Sequence, residues 1–123
     1  MGKTLGFIGL GNMGQPMAAR LQEAGNDLVV YDTRDSVLAP FLEKGARRAG
    51  SAAELASMTD TVMLSLPTPP IVEEVALGAS GVAEGSAVTR VIDLSTTGPE
   101  MASNLEARFA ERGIRWIDSP ISG

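Results

Sequence analysis

Three glycines at one spacing constrain this chain more than any other feature. Gly9, Gly11 and Gly14 form a G-x-G-x-x-G turn, placed directly after the apolar run Thr4–Ile8 and opening an amphipathic stretch from Met13 to Ala24. The run reads as a buried strand. The stretch reads as a helix, with Met13, Met17, Leu21 and Ala24 at spacings of three and four and Gly25 as its stop. In that setting the three glycines provide, in turn, a tight turn, close approach of backbone to a pyrophosphate, and close packing of helix on strand. The N–H groups of Asn12, Met13 and Gly14 lack partners at the helix start, and the helix dipole suits them to an anion. Glycine is common here, 14 of 123 residues, so the spacing alone is weak. Its place between strand and helix points to a dinucleotide, held by Gly9, Leu10, Gly11, Asn12, Met13 and Gly14. Gly2-Lys3-Thr4 copies the end of a P-loop, but the upstream glycine and strand of that motif are missing.

The rest of the chain repeats the same alternation. Asp27–Tyr31 is strand-like, Ser36 to Lys44 a helix with Pro40 in its first turn or at a kink, and Ala46 to Ala49 a short strand. Ser51 caps a brief helix through Met58, and Thr61 to Leu66 is the clearest strand, cut off by Pro67. Pro69-Pro70 open a helix, which prolines tolerate in a first turn. Ala87 to Leu94 is a strand, Pro99 to Arg112 a helix and Ile114 to Ile117 a last strand. Six strands alternating with helices predict an α/β, doubly wound fold of Rossmann type. Its sheet is expected to be mostly parallel and six-stranded, with helices on both faces and a ligand crevice at the carboxyl ends of the strands.

Composition removes most other chemistries. The length of 123 residues allows one domain, and 44% hydrophobic with 20% charged residues suits a globular chain. A net charge of −5 with no basic run disfavours nucleic acid and anionic membranes as partners. Cysteine and histidine are absent, so disulfides, thiolate nucleophiles, Ser–His–Asp triads and His- or Cys-based metal sites cannot be built. No apolar stretch approaches the roughly 20 residues needed to span a bilayer. The first strand starts so early that no targeting segment is expected, and the expected location is cytoplasmic. Gly6 stands where a myristoylation signal has Ser or Thr.

Asp32 lies eighteen positions beyond Gly14, at the end of the second strand. There a carboxylate accepts hydrogen bonds from adenosine ribose hydroxyls and repels a 2′-phosphate; a turn or capping aspartate is the plainer reading. Arg34 reaches the same place and suits a 2′-phosphate, so NAD is favoured and NADP stays open. Leu66-Pro67 and Ser95-Thr96 follow the fourth and fifth strands and flank the crevice, with Leu66, Pro67 and Val72 as apolar walls and Ser95 or Thr96 near the nicotinamide. The prolines equally suit a rigid turn, and Thr97 a helix cap. Glu73-Glu74 and Asp60 read as solvated charges rather than a metal site.

Four segments together resemble the β-hydroxyacid dehydrogenase family, of the 3-hydroxyisobutyrate dehydrogenase and tartronate semialdehyde reductase type. They are Phe7 to Ala18, the Leu66-Pro67 turn, Val91-Ile92-Asp93-Leu94-Ser95-Thr96, and Asp118-Ser119-Pro120-Ile121-Ser122-Gly123. The resemblance implies reversible, NAD(P)-linked oxidation of a small 3-hydroxy acid by a homo-oligomeric enzyme. It places the pyrophosphate on Gly9 to Gly14, ribose on Asp32, the adenosine half on Leu66, Pro67 and Val72, the nicotinamide by Thr96 and the substrate carboxylate at Ser122 and Gly123. Asp32 replaces the Asn-Arg-Ser/Thr ending of NADP-preferring relatives, which supports NAD.

Such enzymes use a lysine as general acid/base, downstream of the last segment. The lysines here, Lys3 and Lys44, are not expected near the carboxyl ends of strands. No catalytic residue is therefore assigned, and residues 1–123 read as the cofactor domain of a larger enzyme whose substrate domain lies elsewhere. That domain is expected to bind cofactor without turnover and to expose apolar surface at Trp116, Ile117 and Ile121. The rival readings are a non-catalytic dinucleotide sensor or scaffold, and an imine reductase or 6-phosphogluconate-dehydrogenase-like enzyme.

Overall fold

The computed structural model describes residues 2–121. Its strands are β1 (Thr4–Ile8), β2 (Asp27–Tyr31), β3 (Arg47–Arg48), β4 (Thr61–Leu64), β5 (Arg90–Asp93) and β6 (Arg115–Asp118); all but β3, a pair of exposed arginines at the sheet edge, have an apolar centre. Between them run α1 (Gly14–Glu23), α2 (Asp35–Glu43), α3 (Ala52–Leu55), α4 (Pro69–Leu77) and α5 (Pro99–Ala110). The strands form one sheet in the order β3-β2-β1-β4-β5-β6, and every neighbouring pair is parallel, so the mostly parallel sheet expected is wholly so. Each connection must then cross back over the sheet, which the intervening helices do. The chain builds outward from β1 to β3, then returns to the other side of β1 and builds outward again to β6. The order therefore reverses between β1 and β4, where a crevice opens above the strand ends.

Strand residues alternate between two apolar layers. Phe7, Leu28 and Val30 pack beneath α1 and α2 with Ala18, Leu38 and Phe41. Ile8, Val29, Val62, Leu64 and Val91 pack on the other face with Leu55 of α3, Val72 and Ala76 of α4, and Leu105 and Phe109 of α5. Helix starts follow local chemistry. Ser51 Oγ accepts from Glu54 N at 3.0 Å, and the Glu54 carboxylate in turn accepts from Gly50 N at 3.0 Å, so the short α3 is held from both directions. Thr68 Oγ1 accepts from Ile71 N at the start of α4, whose first residues are Pro69 and Pro70.

Boundaries shift where other bonds compete. The fifth strand is shorter than the apolar run predicts, because the N–H groups of Ala87 and Val88 bond Ala56 O and those of Thr89 and Arg90 bond Asp60 O. Pro40 lies inside α2 rather than in its first turn.

Trp116 corrects an expectation outright. It is 3% exposed, because strand alternation turns it under α5, where its ring lies 4.9 Å from that of Phe109. Ile117 points to the opposite face, in register with Ile92 and Met63, and all three are only half-buried. Phe109 fills the space between α5 and the sheet with no exposure. Replacing it by alanine is expected to cost about 3–5 kcal/mol in urea denaturation; a loss below about 1 kcal/mol would show that α5 is not anchored through this ring. No helix among the described residues is long and apolar enough to cross a membrane.

Candidate functional site

A cleft of about 510 Å³ opens at the carboxyl ends of β1, β2, β4 and β5, where the strand order reverses. Its floor is the glycine turn. Gly9 has φ of +96°, a conformation that side chains disfavour, and a Cβ there would lie 2.1 Å from Ser65 O. The loops after β1 and β4 therefore touch backbone to backbone. Gly14 is needed for a different reason: its Cβ would lie 2.2 Å from Gly9 O and 3.2 Å from the Phe7 ring, so α1 reaches β1 only without a side chain.

Gly11 differs from both. A Cβ there would meet only Arg34 Nη2, at 3.9 Å, which is ordinary contact. The packing around this position does not itself require a glycine. Among the described residues, the N–H groups of Gly11, Asn12, Met13 and Gly14 have no protein acceptor, and the first bond of α1 is Gln15 N donating to Gly11 O at 3.0 Å. Four consecutive free donors at a helix start make a cradle for an anion with several oxygens. Leu10, by contrast, is fully buried, so its side chain belongs to the core and only its backbone serves the turn.

That backbone leads to Asp32. Leu10 N donates to Asp32 Oδ2 at 2.8 Å, while Arg34 N donates to Oδ1 at 3.0 Å. The Arg34 guanidinium completes the set, with Nε on Oδ1 and Nη2 on Oδ2, each at 3.0 Å. Burial by itself raises the Asp32 pKa, but the Arg34 side chain and the two N–H donors outweigh it and hold the carboxyl below its ordinary value. Asp32 is 8% exposed. Arg34 is open to solvent on its outer side and lines the cleft.

The far wall comes from β4 and β5. Leu66 and Pro67 line it, and Thr96 is exposed beside them. Val72 does not reach the cleft: it is fully buried, and with Ala76 it forms the sheet-facing stripe of α4. Ile71 and Val75, one helical position round, line the cleft instead. Ser95 is 5% exposed and structural, accepting from Leu66 N through Oγ at 2.8 Å and so tying the two loops together. The loop after β5 is held by Asp93, a fully buried carboxylate without a cationic partner among the described residues. It accepts from Ser95 N at 3.0 Å and from the Thr97 hydroxyl, which leaves Thr97 no part in capping α5. Asp118, opposite Asp93 in the sheet, has its pKa raised by burial and then by that neighbouring charge.

Ser122 and Gly123, the expected substrate contacts, lie outside the described residues. Neither lysine lines the cleft: Lys3 precedes β1 at the opposite end of the sheet, and Lys44 is exposed just past α2. Among the described residues no group of three or more acidic side chains is placed to hold a metal ion.

Comparison with known proteins agrees with this geometry. The family described as the NAD binding domain of 6-phosphogluconate dehydrogenase matches residues 4–123. The mitochondrial 3-hydroxyisobutyrate dehydrogenase of Mus musculus is 39% identical over 97% of this chain and 36% of its own length. The solved 3-hydroxyisobutyrate dehydrogenase of Mycobacterium tuberculosis, described with L-serine, superposes with a TM-score of 0.89 at 32% identity, covering 100% of this chain and 42% of that one. A protein described as Psf3 in complex with NADP+ and 2-OPP gives a TM-score of 0.87 at 28% identity over 97% of this chain and 43% of that one. The chain thus spans well under half the length of the relatives it matches.

Proposed function

The chain belongs to the family of the NAD binding domain of 6-phosphogluconate dehydrogenase, and from that premise we propose that its cleft holds a nicotinamide dinucleotide for oxidation of a small 3-hydroxy acid. The observation that carries this reading is the glycine turn. Four free N–H donors stand over a glycine whose missing side chain the fold itself does not require. The cofactor supplies the hydride acceptor; the chain's part is to bind and orient it. The turn takes the pyrophosphate, Asp32 and Arg34 meet the adenosine ribose, and Leu66, Pro67, Ile71 and Val75 offer an apolar wall to the adenosine half. Thr96 stands on the nicotinamide side, and Ser122 and Gly123 are assigned to the substrate carboxylate through the resemblance.

The proton that accompanies hydride transfer needs a carrier. No lysine reaches the cleft, and histidine is absent. The general acid/base and the rest of the substrate site are therefore assigned to a further domain outside residues 1–123, in keeping with relatives more than twice as long. The 3-hydroxyisobutyrate dehydrogenases among the relatives favour a 3-hydroxy acid of that size as substrate.

Calorimetric titration of NADH and NADPH into the 123-residue chain tests the reading. Saturable binding of at least one, tighter than about 1 mM, is expected. Heat no greater than dilution for both would remove the proposal.

A further inference from the structure

We propose that Arg34 is a displaceable latch on Asp32 which makes the adenosine end of the cleft accept both NAD and NADP; this rests on the cofactor reading above. A carboxylate offers about four lone-pair directions, two on each oxygen. All four on Asp32 are taken: Arg34 N and Nε donate to Oδ1, Leu10 N and Arg34 Nη2 donate to Oδ2, at 2.8 to 3.0 Å. A ribose diol has no free acceptor there while the guanidinium stays.

The four bonds are not equally fixed. Those from Leu10 N and Arg34 N belong to the backbone that forms the turn and the β2 end. Those from Nε and Nη2 belong to a side chain that is 56% exposed and has no other hydrogen-bond or ionic partner among the described residues. Nη2 also lies 3.9 Å from where a Gly11 Cβ would stand, so the guanidinium spans from the carboxylate to the edge of the pyrophosphate turn. Arg34 can therefore swing off without disturbing the fold, and only its departure frees an acceptor on each oxygen of Asp32.

The two cofactors use this pair in opposite ways. An unphosphorylated ribose takes the acceptors that Arg34 vacates. A 2′-phosphate leaves the latch closed, where the arginine neutralises a carboxylate that otherwise repels the phosphate, and the outer edge of the guanidinium remains free to donate. Asp32 alone selects for NAD. With Arg34 seated on it, the selection is cancelled.

The ratio of NADH to NADPH dissociation constants tests the latch, because any general loss of folding or adenosine contact divides out of it. The parent chain is expected to bind both within about tenfold of each other. Arg34→Ala is expected to shift the ratio by at least about tenfold toward NADH, since it frees an acceptor for one cofactor and removes a cation from the other. Asp32→Asn, which keeps the shape and loses the charge, is expected to shift it toward NADPH. A smaller shift in Arg34→Ala, a shift toward NADPH, or a parent that discriminates by more than tenfold overturns the latch and leaves the cofactor reading standing. Binding of neither dinucleotide by the parent overturns both.

Discussion

Gly11→Val is expected to fold as the parent does and to lose dinucleotide binding by at least about a hundredfold. The folding half follows from the space around this residue. A Cβ there meets nothing closer than Arg34 Nη2 at 3.9 Å, and the backbone is not in the left-handed region. Stability should change by no more than about 1 kcal/mol, the range of a half-buried substitution whose Cβ meets no clash. The binding half follows from where the branched side chain must go. It fills the space in front of the four free N–H groups of the turn, so the phosphate oxygens cannot reach them. Two charge-assisted hydrogen bonds at about 1.5–3 kcal/mol each already amount to a hundredfold or more. Paired thermal melts and titrations measure both halves. Binding within tenfold of the parent would mean that the phosphates lie elsewhere.

Gly9→Ala is expected to do the reverse and fail at folding. Alanine at φ of +96° is strained by about 1–3 kcal/mol before any contact is considered. Its Cβ would also lie 2.1 Å from Ser65 O, a backbone atom that moves only if the loop after β4 moves. That loop is tied to the next one by the bond from Leu66 N to Ser95 Oγ, so the displacement spreads across the reversal point of the sheet. A total loss of at least about 3 kcal/mol, with a drop in melting temperature on the order of 10–20 °C, is the expected outcome. A melting temperature within about 3 °C of the parent would show that the two loops are not packed as described. Two glycines two residues apart thus separate the demands of the fold from those of the ligand.

Much of the fold is plain in the chain itself. The central strands carry apolar runs, and the helices carry their own caps, as at Ser51 and Thr68. Such signals are local, so periodicity and punctuation recover them. What sequence missed depends on contacts between distant residues or on a single helical step. Trp116 looks like exposed apolar surface until α5 returns Phe109 to it. On α4, Val72 with Ala76 and Ile71 with Val75 share the same spacing of four, and only the docked helix decides which pair faces the sheet. Asp32 and Arg34 were visible as alternatives for the ribose; their closing on each other was not, although a carboxylate two residues before an arginine at a strand end was the available clue. Asp93 gave no signal beyond its place in a short motif. Its role comes from burial beneath the loop after β5, where it holds Ser95 and Thr97 in place.

Backbone amide resonances of isotope-labelled protein, followed during addition of NADH, report whether the glycine turn grips the cofactor's phosphates. The largest shifts are expected at the amides of Gly11, Asn12, Met13 and Gly14, with Arg34, Leu66 and Thr96 next and the opposite end of the sheet, around Lys3 and Asp27, unmoved. Saturable shifts centred away from the turn, with those four amides unchanged, would contradict that grip.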